Sequence, residues 1–322
     1  MRKIKSIFNI RTVFLILAMV PVVVLILITI NLVIGSSHAI GTLGFRLFSS
    51  QFSPSPETPP VFVNRLSYGL LPALWGTFMV VLIAMLFAFP VSMAFAILAN
   101  DFSFGWINTL IRWIISFLSG IPPIIYAVMG STFFLWFLWP KFQGKGLPVA
   151  SLPPPNMLPS DASCTLLGGF MLSLLIIPFM TPLLDDAIQN VPNSIKEASL
   201  ALGANRWHTL RSVTIPYALP GVINASILGI LTALGDAIIV AYTIGFGART
   251  LPSPIYDILQ RTSPLTSTIA GLSAGGLTQS QETGPIGLSV GNLMGLLLLL
   301  AAFGLLGVSM YFQRKSRKGL LQ

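Results

Sequence analysis

Long stretches without a charged side chain restrict this chain to a membrane. The run from Thr12 to Ile34 contains no charged residue, and a helix that rises about 1.5 Å per residue crosses a hydrocarbon core of roughly 30 Å over that length. Only 8% of all residues are charged while 54% are apolar, which is too little charge for a solvated surface. The net charge is +9, but the basic residues lie beside the apolar runs, so this charge does not indicate binding to nucleic acid.

Six long apolar stretches predict six transmembrane helices and an all-α membrane protein. They cover residues 12–34, 70–98, 106–139, 165–188, 214–244 and 286–312. The third is interrupted by Gly-Ile-Pro-Pro at residues 120–123. We interpret it as one broken span, and two half-helices that fold back are the alternative. For the first stretch the alternative is a signal peptide, because residues 37–39 resemble a cleavage site.

Polar segments divide the chain into three parts. Residues 1–67 are expected to hold one helix and a proline-rich periplasmic segment, residues 68–313 a permeation core of five helices, and residues 314–322 a basic cytoplasmic tail. Six spans place both termini on one side of the membrane. Of the 18 Lys and Arg residues, those predicted on the opposite side are Arg46, Arg65, Lys141, Lys145, Arg249 and Arg261. The positive-inside rule therefore predicts cytoplasmic termini in a bacterial inner membrane.

A charged segment between the fourth and fifth stretches is the candidate functional element. Within residues 193–221, Ser194 and Glu197 have the spacing of a capping box, which predicts a helix that begins there. Gly203 predicts the end of that helix. Basic residues and Trp207 follow it and indicate a membrane surface.

This segment resembles a signature of the permease subunits of ABC importers. Glu197, Ala198, Ser199, Gly203 and Pro216 have the spacing of the Glu-Ala-Ala, Gly and Ile-x-Leu-Pro elements of that family. The resemblance implies an importer-permease fold in which the segment is a cytoplasmic coupling helix between spans four and five, docked on a separate ATP-hydrolysing subunit. The residues implied in that contact are Glu197, Ala198, Ser199, Gly203, Ala204 and Arg206.

Three stretches are similar to the permeases of phosphate importers in particular. They lie at residues 68–77, 120–127 and 190–204. The resemblance implies a complex of this chain with a second, non-identical permease, two ATP-binding subunits and a periplasmic phosphate-binding protein. It also implies that ATP and Mg²⁺ are bound by the ATPase subunits, and that this chain carries no cofactor of its own.

The chain shows no pattern typical of an enzyme. It lacks the Gly-x-x-x-x-Gly-Lys-Ser/Thr loop that holds nucleotide phosphates. His38 and His208 lie far apart in the predicted topology, and Cys164 is the only cysteine. Neither a catalytic nucleophile nor a metal site is therefore predicted.

An acidic residue in the fifth stretch is the candidate for a translocation path. A charge at the bilayer centre costs about 2.5–3.5 kcal/mol, so Asp236 is by default a functional residue. Thr232 lies one turn earlier on the same predicted helix face. Together with Pro122 and Tyr126 of the broken span, these residues are predicted to line the path. A structural carboxylate that is hydrogen-bonded to a neighbouring helix is the alternative for Asp236.

The fifth stretch departs from the phosphate permeases. They typically read Gly-Arg-Ala-x-Gly-Glu-Thr, whereas Thr232 replaces the Arg and Asp236 replaces the Glu. We expect no Lys or Arg within the six spans to supply the missing guanidinium, the group best shaped for an oxyanion. Three explanations stay open. A paired, non-identical permease supplies the cation, hydroxyl and backbone hydrogen-bond donors are sufficient for phosphate, or the solute is not phosphate. A permease for another small solute and a non-transporting scaffold or sensor therefore stay open. A secondary transporter would need more ionisable residues in its spans.

Two smaller patterns carry structural expectations. Asp185 and Asp186 end the fourth stretch, and we interpret them as a solvated helix end rather than as partners of basic residues. Residues 291–295 read Gly-Asn-Leu-Met-Gly, a spacing of small residues that favours close helix packing over solute contact.

Overall fold

The chain is almost entirely helical where its structure is described. The computed structural model describes residues 2–49, 52–53, 67–102, 105–133, 164–245, 251–252, 255, 257–258, 260–273 and 285–319. The helices are α1 (Arg2–Leu43), α2 (Leu71–Ile97), α3 (Gly105–Ser119), α4 (Pro123–Phe133), α5 (Thr165–Gln189), α6 (Asn193–Ala201), α7 (Arg206–Thr209), α8 (Ile215–Gly235), α9 (Ile238–Thr243), α10 (Leu265–Ser273) and α11 (Pro285–Gly319). Two short strands, β1 (Phe52–Ser53) and β2 (Ser67–Tyr68), pair antiparallel. The all-α fold is confirmed.

Five helical segments are long and apolar enough to cross a membrane. They are Thr12–Leu43, Leu71–Asn100, Thr165–Gln189, Arg206–Gly235 and Ile286–Arg314. A sixth span results when Asn108–Ser119 and Pro123–Thr132, which meet at an angle of 95°, are counted together. The bend lies at the predicted Gly-Ile-Pro-Pro interruption, where two prolines lack the N–H groups that would continue a helix. These described segments give the expected number of spans.

The fifth span ends earlier than the sequence predicts. We expected an apolar helix to residue 244, but α8 ends at Gly235. The backbone of Asp236 is extended, with ψ at 113°, and its carboxylate accepts a hydrogen bond of 2.7 Å from the N–H of Ile239. This side chain competes with the helical ladder and starts the short helix α9 instead.

Helix α5 forms the centre of the main core. Leu172, Ile176, Met180 and Leu184 follow one another at four-residue spacing and are completely buried. α5 packs against α2, α8 and α9. A Cβ atom at Gly169 of α5 would lie 2.6 Å from the Cβ of Ile83 in α2, so only glycine allows these two helices to approach so closely.

The N-terminal helix lies outside this core. The most apolar part of α1 buries none of its residues, and the helix packs on α11 through its C-terminal half, where Ser36 and Ala39 are buried. A Cβ atom at Gly35 would lie 2.2 Å from the side-chain amide nitrogen of Asn292, and one at Gly295 would lie 3.2 Å from Leu32. The small residues at 291–295 therefore serve helix packing, as the sequence predicts.

The contact between α2 and α5 predicts the effect of adding one methyl group. We expect Gly169→Ala to lower the free energy of unfolding by about 1–3 kcal/mol, because the new Cβ atom overlaps Ile83 and Ile83 is branched at the overlapping atom. Gly304→Ala in α11 is the control, since nothing lies within 4 Å of its Cβ position. Thermal unfolding of the purified chain in detergent measures both variants. Equal midpoints for the two would contradict the close packing described for α5.

Candidate functional site

Helix α6 is a largely exposed element between two spans. None of its residues is buried, and Leu202 directly after it is 90% exposed. Gly203 has a φ of +87°. Its N–H donates to the carbonyl of Leu200 at 3.0 Å, and the N–H of Ala204 donates to the carbonyl of Ser199 at 3.3 Å. These two bonds form a Schellman motif, so the prediction that Gly203 ends the helix is confirmed.

The start of α6 differs from the sequence prediction. We expected Ser194 to cap the helix and Glu197 to complete a capping box, but the cap position is Pro192 and no side chain caps there. Pro192 has a φ of −57° and a ψ of 131°, so it is the last extended residue and the helix begins two residues earlier than expected. The preceding Val191 is 2% exposed and fixes this start to the end of α5.

The return from α6 to the membrane is fixed by side-chain hydrogen bonds. The side-chain oxygen of Asn205 accepts from the N–H of His208 at 2.7 Å and caps α7. The hydroxyls of Ser199 and Thr209 lie 3.0 Å apart, which joins α6 to the helical segment that leads into α8. Of the six residues predicted to contact an ATPase, Glu197, Ala198, Gly203 and Arg206 are exposed, and Ser199 and Ala204 are half-buried.

A cavity of about 400 Å³ lies between α3, α5 and α8. Its lining residues are Ile115, Ser116, Leu118, Ser119, Ile121, Leu175, Pro178, Phe179, Pro182 and Thr232. Thr232 is therefore the predicted path residue that reaches this cavity. Its hydroxyl donates to the carbonyl of Leu228 at 2.9 Å. The lining is apolar apart from three hydroxyl groups.

The other predicted path residues have local structural contacts. The hydroxyl of Tyr126 donates to the carbonyl of Leu118 at 2.8 Å, across the bend between α3 and α4. The carbonyl of Pro122 accepts from the N–H of Ile125 at 3.0 Å and begins α4. Asp236 caps α9, as described above, and it does not line the cavity. The structure thus separates Thr232 from Asp236, because α8 ends between them.

An ion pair joins α3 to α5, although a basic partner was the less favoured interpretation of the two aspartates that end α5. The guanidinium of Arg112 lies 2.9 Å from a carboxylate oxygen of Asp185. The other oxygen accepts from the side-chain amide of Asn100 at 2.6 Å, and the Nε of Arg112 donates to Asn108 at 2.9 Å. The expectation of a solvated helix end is wrong for Asp185, which is buried, although Asp186 is exposed.

The same ion pair corrects the expectation that no basic residue lies within the spans. Arg112 is part of α3 and of the broken third span. The spacing of Asn108 and Arg112 by four residues was visible in the sequence. Asp185 was not recognisable as the partner, because it is distant along the chain and ends another helix.

The described part of the chain holds no cluster of three His, Cys, Asp or Glu residues that could bind a metal ion.

Comparison with known proteins agrees with this architecture. The PstC phosphate transport system permease protein of Xylella fastidiosa (strain Temecula1) is 33% identical over 287 residues, which cover 86% of this chain and 83% of that protein. The probable ABC transporter permease protein YqgH of Bacillus subtilis (strain 168) is 31% identical over 257 residues, covering 80% and 73%. A solved bacterial alginate ABC transporter, in complex with an alginate pentasaccharide-bound periplasmic protein, matches at 17% identity with a TM-score of 0.60 over 96% of each chain, a likeness of fold.

The family model described as "Binding-protein-dependent transport system inner membrane component" matches residues 92–314, which include the helices around the cavity and all of α6. Because the match covers most of the chain, this multi-pass membrane protein belongs to the family of inner-membrane permease components of binding-protein-dependent ABC importers.

Proposed function

We propose that this chain is one permease subunit of an ABC importer for phosphate, and that a separate subunit supplies the energy by hydrolysing ATP. The observation that carries the proposal is α6, an exposed helix held between two spans that both border a cavity. The similarity to phosphate permeases of the PstC type supports phosphate as the solute.

The surface of α6 suits a partner with an apolar groove. Ile195, Leu200 and Leu202 are exposed by 37%, 42% and 90% respectively. Lys196 and Glu197 lie among them on the same short helix. Interfaces of this kind combine an apolar centre with a polar rim, and a helix in a groove is a common form of recognition. The proposed occupant of this surface is the ATP-hydrolysing subunit.

Movement of α6 would be transmitted to the cavity through the two helices that flank it. The helix is attached to α5 through the buried Val191, and to the segment before α8 through the contact of Ser199 with Thr209. Both α5 and α8 line the cavity, α8 through Thr232. A displacement of α6 by a partner would therefore shift two walls of the cavity at once. This arrangement supports coupling between ATP hydrolysis and solute movement.

The complete importer requires further components. The proposed complex contains a second, non-identical permease, two ATPase subunits that bind ATP and Mg²⁺, and a periplasmic solute-binding protein. The excess of Lys and Arg on the side of the termini supports a cytoplasmic position for α6 and for both termini. The cavity opens at the surface of the single chain, where the second permease would complete its wall.

A permease for a different small solute is the second candidate. None of the residues that line the cavity is charged. Such a lining suits an uncharged solute, because an anion stripped of water needs opposing charge or several hydrogen-bond donors. Uptake measurements with labelled phosphate and with uncharged solutes separate these two functions.

The docking role of α6 predicts a loss of uptake without a loss of folding. We expect Gly203→Asp and Glu197→Lys each to lower ATP-driven uptake at least about tenfold. The first adds a negative charge to the exposed surface of α6, and the second reverses a negative charge there. Gly203→Asn is the matched control, since Asn tolerates a positive φ and adds a side chain of the same size without charge. Co-purification of the ATPase subunit and membrane insertion are measured in parallel. Normal ATP-driven uptake by both charged variants would refute the coupling proposal.

The position of Asp236 allows its charge to be tested apart from its capping role. Asn caps a helix about as well as Asp, so we expect Asp236→Asn to keep α9 and the expression level but to reduce uptake. Asp236→Ala removes the cap as well, which costs about 1 kcal/mol, and should lower both expression and uptake. Initial uptake rates normalised to membrane-inserted protein distinguish the two effects. Unchanged normalised uptake by Asp236→Asn would leave Asp236 a purely structural residue.

A further inference from the structure

Helix α3 has a polar edge between a buried face and an exposed aromatic face. Arg112, Ser116 and Ser119 are spaced by four and three residues, so they lie along one side of the helix, and all three are exposed. Ile115 on the neighbouring side is buried, whereas Phe117 on the other side is exposed by 61%. A polar edge of this kind is costly against lipid, so it is expected to face protein or a water-filled path.

The polar edge runs along the cavity and past one of its ends. Ser116 and Ser119 line the cavity, and Arg112 follows at a distance of about 6 Å along the helix axis. On the facing helix α5, Pro182 lines the cavity and Asp185 lies three residues further on. The ion pair of Arg112 with Asp185 therefore lies at the end of the cavity that is nearer to α6.

The two partners of this ion pair are exposed to very different degrees. The side chain of Arg112 is 50% exposed, but that of Asp185 is only 10% exposed. Asp185 receives a second hydrogen bond, from Asn100, and so its charge is well compensated within the protein. Here the carboxylate is enclosed and the guanidinium remains accessible.

The guanidinium of Arg112 is oriented by two contacts and still has N–H groups that donate no hydrogen bond to a described residue. Its Nε bonds Asn108, and its Nη1 bonds Asp185. An Arg side chain has five N–H groups, and within the described part of the chain no other acceptor is bonded to this one. Its planar set of donors matches the paired oxygens of phosphate, and the fixed orientation lowers the entropy that binding would cost.

The three hydroxyl groups that line the cavity differ in whether they already donate a hydrogen bond within the protein. Ser119 donates to the carbonyl of Ser116 at 2.8 Å, and Thr232 donates to that of Leu228. The hydroxyl of Ser116 has no hydrogen bond within the described residues. It is also the cavity hydroxyl that lies one turn from Arg112 on α3.

We propose that Arg112 and Ser116 form an oxyanion-binding site at the α6 end of the cavity, with Asp185 and Asn108 as positioning residues for the guanidinium. This inference rests on the proposed import of phosphate and names the cation that the solute would meet. The site lies on the third span, whereas the fifth span carries Thr232 in the cavity.

The test compares substitutions that separate the charge of Arg112 from its structural pairing. The complex with its ATPase, paired permease and binding protein is reconstituted in liposomes, and ATP-driven uptake of labelled inorganic phosphate and ATP hydrolysis are measured together. We expect Arg112→Gln to lower the phosphate imported per ATP hydrolysed at least about tenfold, and Ser116→Ala to lower it about threefold. Asp185→Asn removes the ion pair but keeps Arg112 and the acceptor for Asn100. The guanidinium then loses one positioning contact but not its charge, so the phosphate imported per ATP should fall about threefold, clearly less than in Arg112→Gln.

The outcomes separate this inference from the proposed function. A larger loss in Arg112→Gln than in Asp185→Asn, together with a loss in Ser116→Ala and with thermal stability and stimulated ATP hydrolysis retained, supports the site. Equal loss in Arg112→Gln and Asp185→Asn, or a fall in thermal stability that accounts for the loss, shows that the pair is structural and overturns the inference alone. Uptake by Arg112→Gln equal to that of the wild type also overturns it alone. A wild-type complex that hydrolyses ATP but imports no phosphate overturns both proposals.

Discussion

Close packing along α5 is the constraint on which the rest of the structure depends. Lipid tails are as apolar as leucine side chains, so the hydrophobic effect gives helices in a membrane little reason to associate. Small residues favour association instead, because they let two helix backbones approach closely and so increase the dispersion contacts between the helices. Gly168 against Ile244, Gly169 against Ile83, and Gly229 of α8 against Met180 all show such approaches. With α5 held on several sides, its two ends have fixed positions.

The C-terminal end of α5, together with α6, combines rigid and weakened segments. The buried Val191 and the left-handed Gly203 give α6 a rigid start and a defined end. Pro178 and Pro182 remove two N–H groups from the part of α5 that borders the cavity. A helix weakened on its cavity side and rigid at its terminus can bend where bending changes the cavity. This combination of stiff and weak segments fits a transport cycle.

The sequence was sufficient where one residue or one run of residues decides the structure. Apolar runs determine the spans, and Gly203 ends α6 because other residues rarely adopt a positive φ. It was insufficient where two competing local preferences meet, as at Ser194, where the extended Pro192 decided the helix start. It also failed for contacts between distant residues. The pairing of Arg112 with Asp185 depends on how α3 lies against α5, and no local pattern encodes that placement.

The first helix has more length than a bilayer requires. Its apolar segment Thr12–Leu43 has 32 residues, which corresponds to about 48 Å against a hydrocarbon thickness of roughly 30 Å. To fit entirely within the lipid it would have to tilt by about 50°, beyond the usual range of 0–40°. A tilt within the usual range therefore leaves several turns of the segment outside the hydrocarbon. The C-terminal turns are the part of α1 that packs into the second hydrophobic cluster, which includes Ala39 and Met294, so protein rather than lipid covers them there.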